Sequence, residues 1–173
     1  SHGRKRGKCM NELYEAIEKK IKDAGFNICI KIFGIGPLYM ELQEKIQSLH
    51  LEQNIILMGY CATPYDELKN SLAYICPSDN ESFGIAIEEA LFLSVPIIAC
   101  RCPGTEEILH HSEFGLLVDN SVEGLVSGIY EFVSNPVLAN SLKEKSKNGK
   151  IYWQSILQSV ADFSKIFLPY TNV

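Results

Sequence analysis

The sequence predicts an α/β fold, one parallel sheet of about six strands with helices on both faces. Three observations predict it. Short apolar, β-branched runs alternate with longer stretches whose apolar residues recur at helical spacing. Glycine, proline or small polar residues mark most of the junctions. No internal repeat and no linker of domain-separating length interrupts the series, so residues 1–173 read as a single domain. Alternation of this kind buries a parallel sheet between two layers of helix.

The elements follow in order. Residues 11–23 carry Leu13, Ile17 and Ile21 at three-to-four spacing, with Tyr14 beside them, and Gly25 ends the pattern as a C-cap does. Residues 26–33 are apolar and β-branched enough for a buried strand. Gly34-Ile35-Gly36-Pro37 breaks that strand before a helix over about 38–49. Residues 54–58 form a third apolar run, stopped by Gly59-Tyr60, and Thr63-Pro64 reads as a helix cap with Pro64 at the tolerated first position. Strands are expected over 72–76, 95–100 and 114–118, with a short helix starting at Thr105. Three helical stretches close the chain, over about 122–134, 136–147 and 152–167.

The junction after residues 72–76 organises the rest. Pro77-Ser78-Asp79-Asn80-Glu81-Ser82-Phe83-Gly84 leads into a helix from Ile85, so Glu81 lies in the loop and Glu89 about one turn inside the helix. Both carboxylates can approach a pocket at the helix amino end, where backbone N–H groups and the dipole favour an anion. That combination suits a ligand with polyol and phosphate parts, such as a nucleotide sugar. The same junction occurs in any α/β domain, and the dipole alone favours a glutamate there. In open parallel sheets ligands bind beyond the carboxyl ends of the strands, which places the loops at 34–36, 59–60, 78–84 and 102–105 along one edge.

Composition excludes several classes. Apolar residues at 46% and charged ones at 21% describe a globular chain, and no apolar run approaches the roughly 20 residues of a membrane span. The expected location is the cytoplasm. A net charge of −5 argues against nucleic acid as a partner, although Arg4, Lys5, Arg6 and Lys8 cluster near the start. Ser1-His2 in place of an initiator Met reads as the start of a piece of a longer protein. The six cysteines form no metal or disulfide pattern, and Cys29, Cys76 and Cys100 are expected as buried small hydrophobes. Gly34-x-Gly36 lacks the third glycine of the dinucleotide fingerprint, since Tyr39 stands in its place, so NAD is disfavoured. The adjacent His110 and His111 are expected as solvated helix-end residues, not metal ligands.

Taken together, Phe33-Gly-Ile-Gly-Pro37, Pro77-Ser-x-x-Glu81-Ser-Phe-Gly-Ile-x-x-x-Glu89-Ala90, Pro103-Gly-Thr-Glu106-Glu-Ile108 and Gly115-Leu-Leu-Val118 resemble one group of proteins. They look like the C-terminal, donor-binding half of a family 4, or group 1, retaining glycosyltransferase of the GT-B fold. The match runs over about residues 8–167. The resemblance implies a Rossmann-like domain that faces a second one across a cleft and holds a UDP-, GDP- or ADP-sugar, with no further cofactor and no metal. Glu81 and Glu89 are then the candidate catalytic-site residues, Glu81 near the donor sugar and Glu89 on the ribose hydroxyls.

By the same resemblance Phe83, Gly84 and Ile85 would offer backbone N–H groups to the sugar or distal phosphate. Gly34 and Gly36 would line the cleft, Gly59 and Tyr60 would lie beside the base, and Arg4 and Lys8 would neutralise the diphosphate. Three departures stand out: Ser82 replaces a common glycine, Pro103-Gly104-Thr105 stands where two glycines are frequent, and the Arg4–Lys8 spacing is about one residue short. The implied reaction is transfer of a sugar, with retention, to a glycan or lipid-linked acceptor held by the missing half. Residues 151–173 would form a helix packing toward that half, with part of its stripe exposed in the fragment. The isolated domain is expected to bind nucleotide weakly and transfer nothing, and the full-length protein is expected in the cytoplasm, with the inner face of the membrane as the place where it would associate peripherally. An epimerase half-domain of the same fold and a non-catalytic Rossmann-like interaction module remain as alternatives.

Overall fold

The structure, a computed structural model, describes residues 16, 20, 23–78 and 84–167, with side chains to residue 159. Among the described residues five strands run parallel in two sheets, one of two strands and one of three. β1 (Ile30–Phe33) pairs with β2 (Ile55–Gly59), while β4 (Ile97–Cys100) lies between β3 (Tyr74–Cys76) and β5 (Leu116–Val118). The helices α1 (Tyr39–Ser48), α2 (Tyr65–Lys69), α3 (Ile85–Phe92), α4 (Pro103–Ile108), α5 (Val122–Ser134) and α6 (Pro136–Phe167) alternate with and follow them.

β4 shows why the alternation was legible. All four of its residues are buried, because the strand is covered on both faces as a central parallel strand is. Ile97 and Ala99 enter one core with Ile87, Ala90 and Leu91 of α3, while Ile98 and Cys100 enter another with Leu125, Val126 and Ile129 of α5. Burial of side chains such as Ile97 and Ile98 contributes roughly 1.5–3 kcal/mol each. A third, smaller cluster of Ile46, Leu51 and Ile55 fastens α1 to the β1–β2 ladder.

Several boundaries differ from the expectations. Only residues 30–33 of the expected 26–33 strand enter the ladder. Along this stretch Ile28, Ile30 and Ile32 are half-buried while Cys29 and Lys31 are exposed. The expectation of a buried Cys29 is therefore corrected: period-two alternation turns it to solvent, whereas Cys76 and Cys100 are buried. α2 begins at Tyr65 with Pro64 as its N-cap and no side-chain cap bond, one residue later than Thr63-Pro64 suggested. α4 begins at Pro103, with Thr105 in its third position.

The two last expected helices are one. α6 is a continuous 32-residue helix, running through the Asn148-Gly149-Lys150 stretch that reads as a break in sequence. Gly149 is there for close approach: a Cβ on it would lie 2.8 Å from the Phe114 Cβ and 2.9 Å from a Leu91 methyl. The helix passes from the α5 core, where Leu142 is fully buried, to the α3 core, where Tyr152 and Trp153 pack. On the way the buried Ser146 hydroxyl donates to the Val95 carbonyl at 2.6 Å, and Lys145 Nζ donates to the Ser112 carbonyl at 2.8 Å. Beyond that point Ile151 and Leu157 are exposed and Ile156 is half-buried. The expected helix over 11–23 lies outside the described residues except for Ala16, in the α5 core, Lys20, whose Nζ donates to Ser127 Oγ at 2.8 Å, and Asp23, in a turn.

Candidate functional site

The carboxyl ends of the strands form the candidate edge, and backbone conformation sets its shape. At the end of the first ladder the register shifts between Ile32 and Phe33, bringing Phe33 opposite Gly59. The Gly34 N–H then donates to the Gly59 carbonyl at 2.7 Å. Gly34 has φ +125°, a conformation that side-chain-bearing residues rarely adopt. No atom would meet a Cβ at Gly34, Gly36 or Gly59, so the backbone here is open to approach from outside. The Gly36 carbonyl accepts the Tyr39 N–H at 3.0 Å and starts α1. Tyr60 follows Gly59 and is 75% exposed.

α2 adds a side chain that sequence reasoning missed. Lys31 of β1 forms a hydrogen-bonded ion pair with Glu67, which ties the middle of β1 to α2. That bond holds the Lys31 ammonium above its ordinary range. Leu68 packs into the α3 core from the same helix. Tyr65, the first residue of α2, is thereby placed to donate its hydroxyl to Glu89 Oε1 of α3 at 3.1 Å. The hydrogen bond, and then the carboxylate charge, push the Tyr65 phenol above its usual value of 10.0. Glu89 is half-buried.

α3 itself starts from Gly84, which is buried and left-handed at φ 53°. Its first intrahelical bonds run from the Ile87 and Glu88 N–H groups to the Gly84 carbonyl, at 2.8 and 3.0 Å. The Ile85 and Ala86 N–H groups thus belong to the helix's amino end, where an anion is favoured. Ile85 is 65% exposed and Ala90 fully buried, so the helix turns one side to the core and the other outward.

Behind β4 the turn is locked from inside. Thr105 is fully buried. Its Oγ1 accepts the Cys102 N–H at 2.9 Å and lies 2.8 Å from the Cys100 carbonyl, to which it donates. Arg101, immediately beyond β4, donates to Glu106 Oε1 at 2.7 Å. Arg101 is a second residue that sequence reasoning passed over at this edge. Position alone could have flagged both: each sits in the junction that follows a strand, Tyr65 directly after Pro64.

Of the site residues expected from sequence, the structure brings together Gly34 with Gly59, places Gly36, Tyr60, Gly84 and Ile85 in the junctions after β1, β2 and β3, and puts Glu89 within α3. Glu81, Phe83, Arg4 and Lys8 lie outside the described residues. A shallow hollow lined by Gly25, Phe26, Asn27, His50, Gln53 and Asn54 sits at the opposite end, before β1 and β2. His110 and His111 are also away from the edge, in the turn before β5, where both have positive φ. His110 stacks on Phe114 at 5.3 Å and lies 3.2 Å from Glu113, while His111 is exposed. Among the described residues no three His, Cys, Asp or Glu side chains cluster as metal ligands would.

Comparison with known proteins gives a consistent picture. Residues 4–149 match the family model described as glycosyl transferases group 1. The chain is 29% identical over 131 residues to 2-deoxystreptamine N-acetyl-D-glucosaminyltransferase of Niallia circulans, covering 74% of this chain and 33% of that one. It is 35% identical over 123 residues to an exopolysaccharide phosphotransferase of Streptomyces coelicolor, covering 69% of this chain and 13% of the relative. The chain thus spans a third or less of the length of these two relatives. In fold it is similar to a TarM variant of S. aureus crystallised with fondaparinux, alpha-GlcNAc-glycerol and UDP. The TM-score is 0.74 at 24% identity, over 90% of this chain and 32% of that one.

Proposed function

The chain belongs to the group 1 glycosyl transferases, and on that premise we propose that it forms the donor-binding domain of a retaining, metal-independent transferase using a nucleoside-diphosphate sugar. The observation that carries this reading is Glu89. It is a half-buried carboxylate in the helix behind β3, held at one oxygen by Tyr65 from the helix behind β2. A carboxylate fixed at the carboxyl edge of a parallel sheet is suited to accept from the hydroxyls of a ribose.

The remaining roles follow the edge. The open turns at Gly34, Gly36 and Gly59 line the nucleotide's path, with Tyr60 beside the base. The amino end of α3, at Gly84 and Ile85, takes the distal phosphate or sugar. Glu81 and Phe83 complete the sugar side, and Arg4 and Lys8 neutralise the diphosphate. In transfer the bond from the anomeric carbon to the diphosphate breaks, and negative charge develops on the leaving phosphate. Cationic side chains and the helix amino end stabilise that charge, which is where such catalysis gains most. Glu81 and Glu89 position the donor and are not an acid and nucleophile pair.

Two observations support a nucleotide ligand. The TarM variant that shares the fold was crystallised with UDP, and the N. circulans relative is by name an N-acetylglucosaminyltransferase. The acceptor, a glycan or a lipid-linked one, is held by the part of the protein that this chain does not span, together with any peripheral attachment to the inner face of a membrane. Among the described residues no helix is long and apolar enough to cross one.

Calorimetric titration of the chain with UDP, GDP and ADP tests the reading. Binding of at least one is expected, with no sugar transfer by this chain alone. Absence of heat from all three removes it.

A further inference from the structure

We propose that Tyr65 is a positioning residue for nucleotide recognition, its hydroxyl fixing the Glu89 carboxylate in the orientation that reads the ribose hydroxyls. The proposal rests on the reading of Glu89 as the ribose contact and adds a residue to it.

Geometry supplies the case. Tyr65 opens α2, behind β2, and Glu89 lies in α3, behind β3, so the 3.1 Å bond joins side chains from two different strand–helix junctions. Both ends are anchored. α2 is tied to β1 through Glu67 and Lys31 and to the core through Leu68. α3 is held by Ile87, Ala90 and Leu91, all buried. The tyrosine ring has only two side-chain torsions, so it delivers a hydroxyl at little entropic cost. Glutamate has three, and an unrestrained carboxylate spreads over several rotamers.

The bonding capacity also fits. A carboxylate offers about four acceptor sites, and one donor from Tyr65 leaves room for both hydroxyls of a vicinal diol. Tyr65 is 43% exposed and Glu89 half-buried, so a ligand can reach the pair without displacing core. Because the bond holds the phenol above its ordinary range, Tyr65 remains a donor throughout neutral pH.

The test pairs UDP with 2′,3′-dideoxy-UDP, with the matching GDP and ADP pairs run alongside, against the wild-type chain and Tyr65→Phe. Wild type is expected to bind the ribonucleotide more tightly than the dideoxy form. Tyr65→Phe is expected to weaken the ribonucleotide by about three- to tenfold, the range of one ordinary net hydrogen bond, and to leave the dideoxy form unchanged. Equal weakening of both nucleotides, or of neither, overturns the proposal while the donor-site reading stands. Unfolding of Tyr65→Phe overturns it too, since the hydroxyl would then be structural. A wild-type chain that binds UDP, GDP or ADP yet does not separate any from its dideoxy form removes the ribose role of Glu89, and this proposal falls with it.

Discussion

Tyr65 and Glu89 meet at 3.1 Å, hydroxyl to carboxylate, one from the start of α2 and the other from within α3. The bond links the junctions behind β2 and β3, which belong to different ladders. It thereby fixes one oxygen of the Glu89 carboxylate between the helices that follow those two strands.

Removing that acceptor should show directly in nucleotide affinity. Glu89→Ala is expected to weaken binding by about 1–3 kcal/mol, the loss of charge-assisted hydrogen bonds to the ribose. Calorimetry with UDP, GDP and ADP reads the change. An affinity equal to wild type would exclude Glu89 from the contact.

Tyr65 should titrate late. Its phenol is raised above 10.0, first by the hydrogen bond to Glu89 and then by that residue's charge. A folded pKa above the unfolded one means the bond's contribution to stability is complete below pH 10.0 and is lost as pH rises through the folded value. Phenolate absorbance followed through alkaline titration should show one tyrosine displaced upward, and Glu89→Gln should return it toward the ordinary range. A titration unaltered by Glu89→Gln would contradict the assignment.

Thr105 is a stability determinant at the same edge. Thr105→Val keeps shape but removes the hydroxyl that bonds the Cys102 N–H and the Cys100 carbonyl inside the protein. The cost is expected at about 1–3 kcal/mol, from buried polar groups left without their partner. Urea unfolding measures it through the midpoint at constant slope.

Gly149→Ala sets two effects against each other. Alanine improves helix propensity by about 1 kcal/mol. Its methyl would stand 2.8 Å from the Phe114 Cβ, close to the backbone and hard to move. Overpacking of that kind costs about 1–3 kcal/mol, so net destabilisation is expected, with a lower melting temperature. A rise in melting temperature would show that Phe114 and Leu91 can yield.

Much of this architecture was legible from residue pattern. Runs such as residues 97–100, buried on both faces, stand out as apolar and β-branched, and Gly34, Gly59 and Gly84 mark turns that need positive φ. Periodicity failed where tertiary contact overrode it. Gly149 looks like punctuation in one dimension, yet it is the contact surface of a continuous helix. Cys29 resembles its buried counterparts in composition and differs only in the side of the strand it occupies. Glu89 could be singled out from spacing and resemblance, whereas Tyr65 is marked only by its place in a junction that follows a strand, with nothing to name its partner. Its relevance comes from a contact between residues twenty-four positions apart, for which a single sequence carries no local signal.

The seat of α3 has a consequence for how variants of this chain will be interpreted. Glu89 is half-buried and bonded to Tyr65, while its neighbours Ala90 and Leu91 are buried in a core against which Gly149 of α6 lies. The aim of the carboxylate is therefore set partly from the far side of its own helix. On the proposed role of Glu89, a lesion at Gly149 is expected to lower nucleotide binding as a lesion at the edge would. Loss of binding in a mutational screen will thus map two surfaces at once, and only a parallel measurement of folding will separate them.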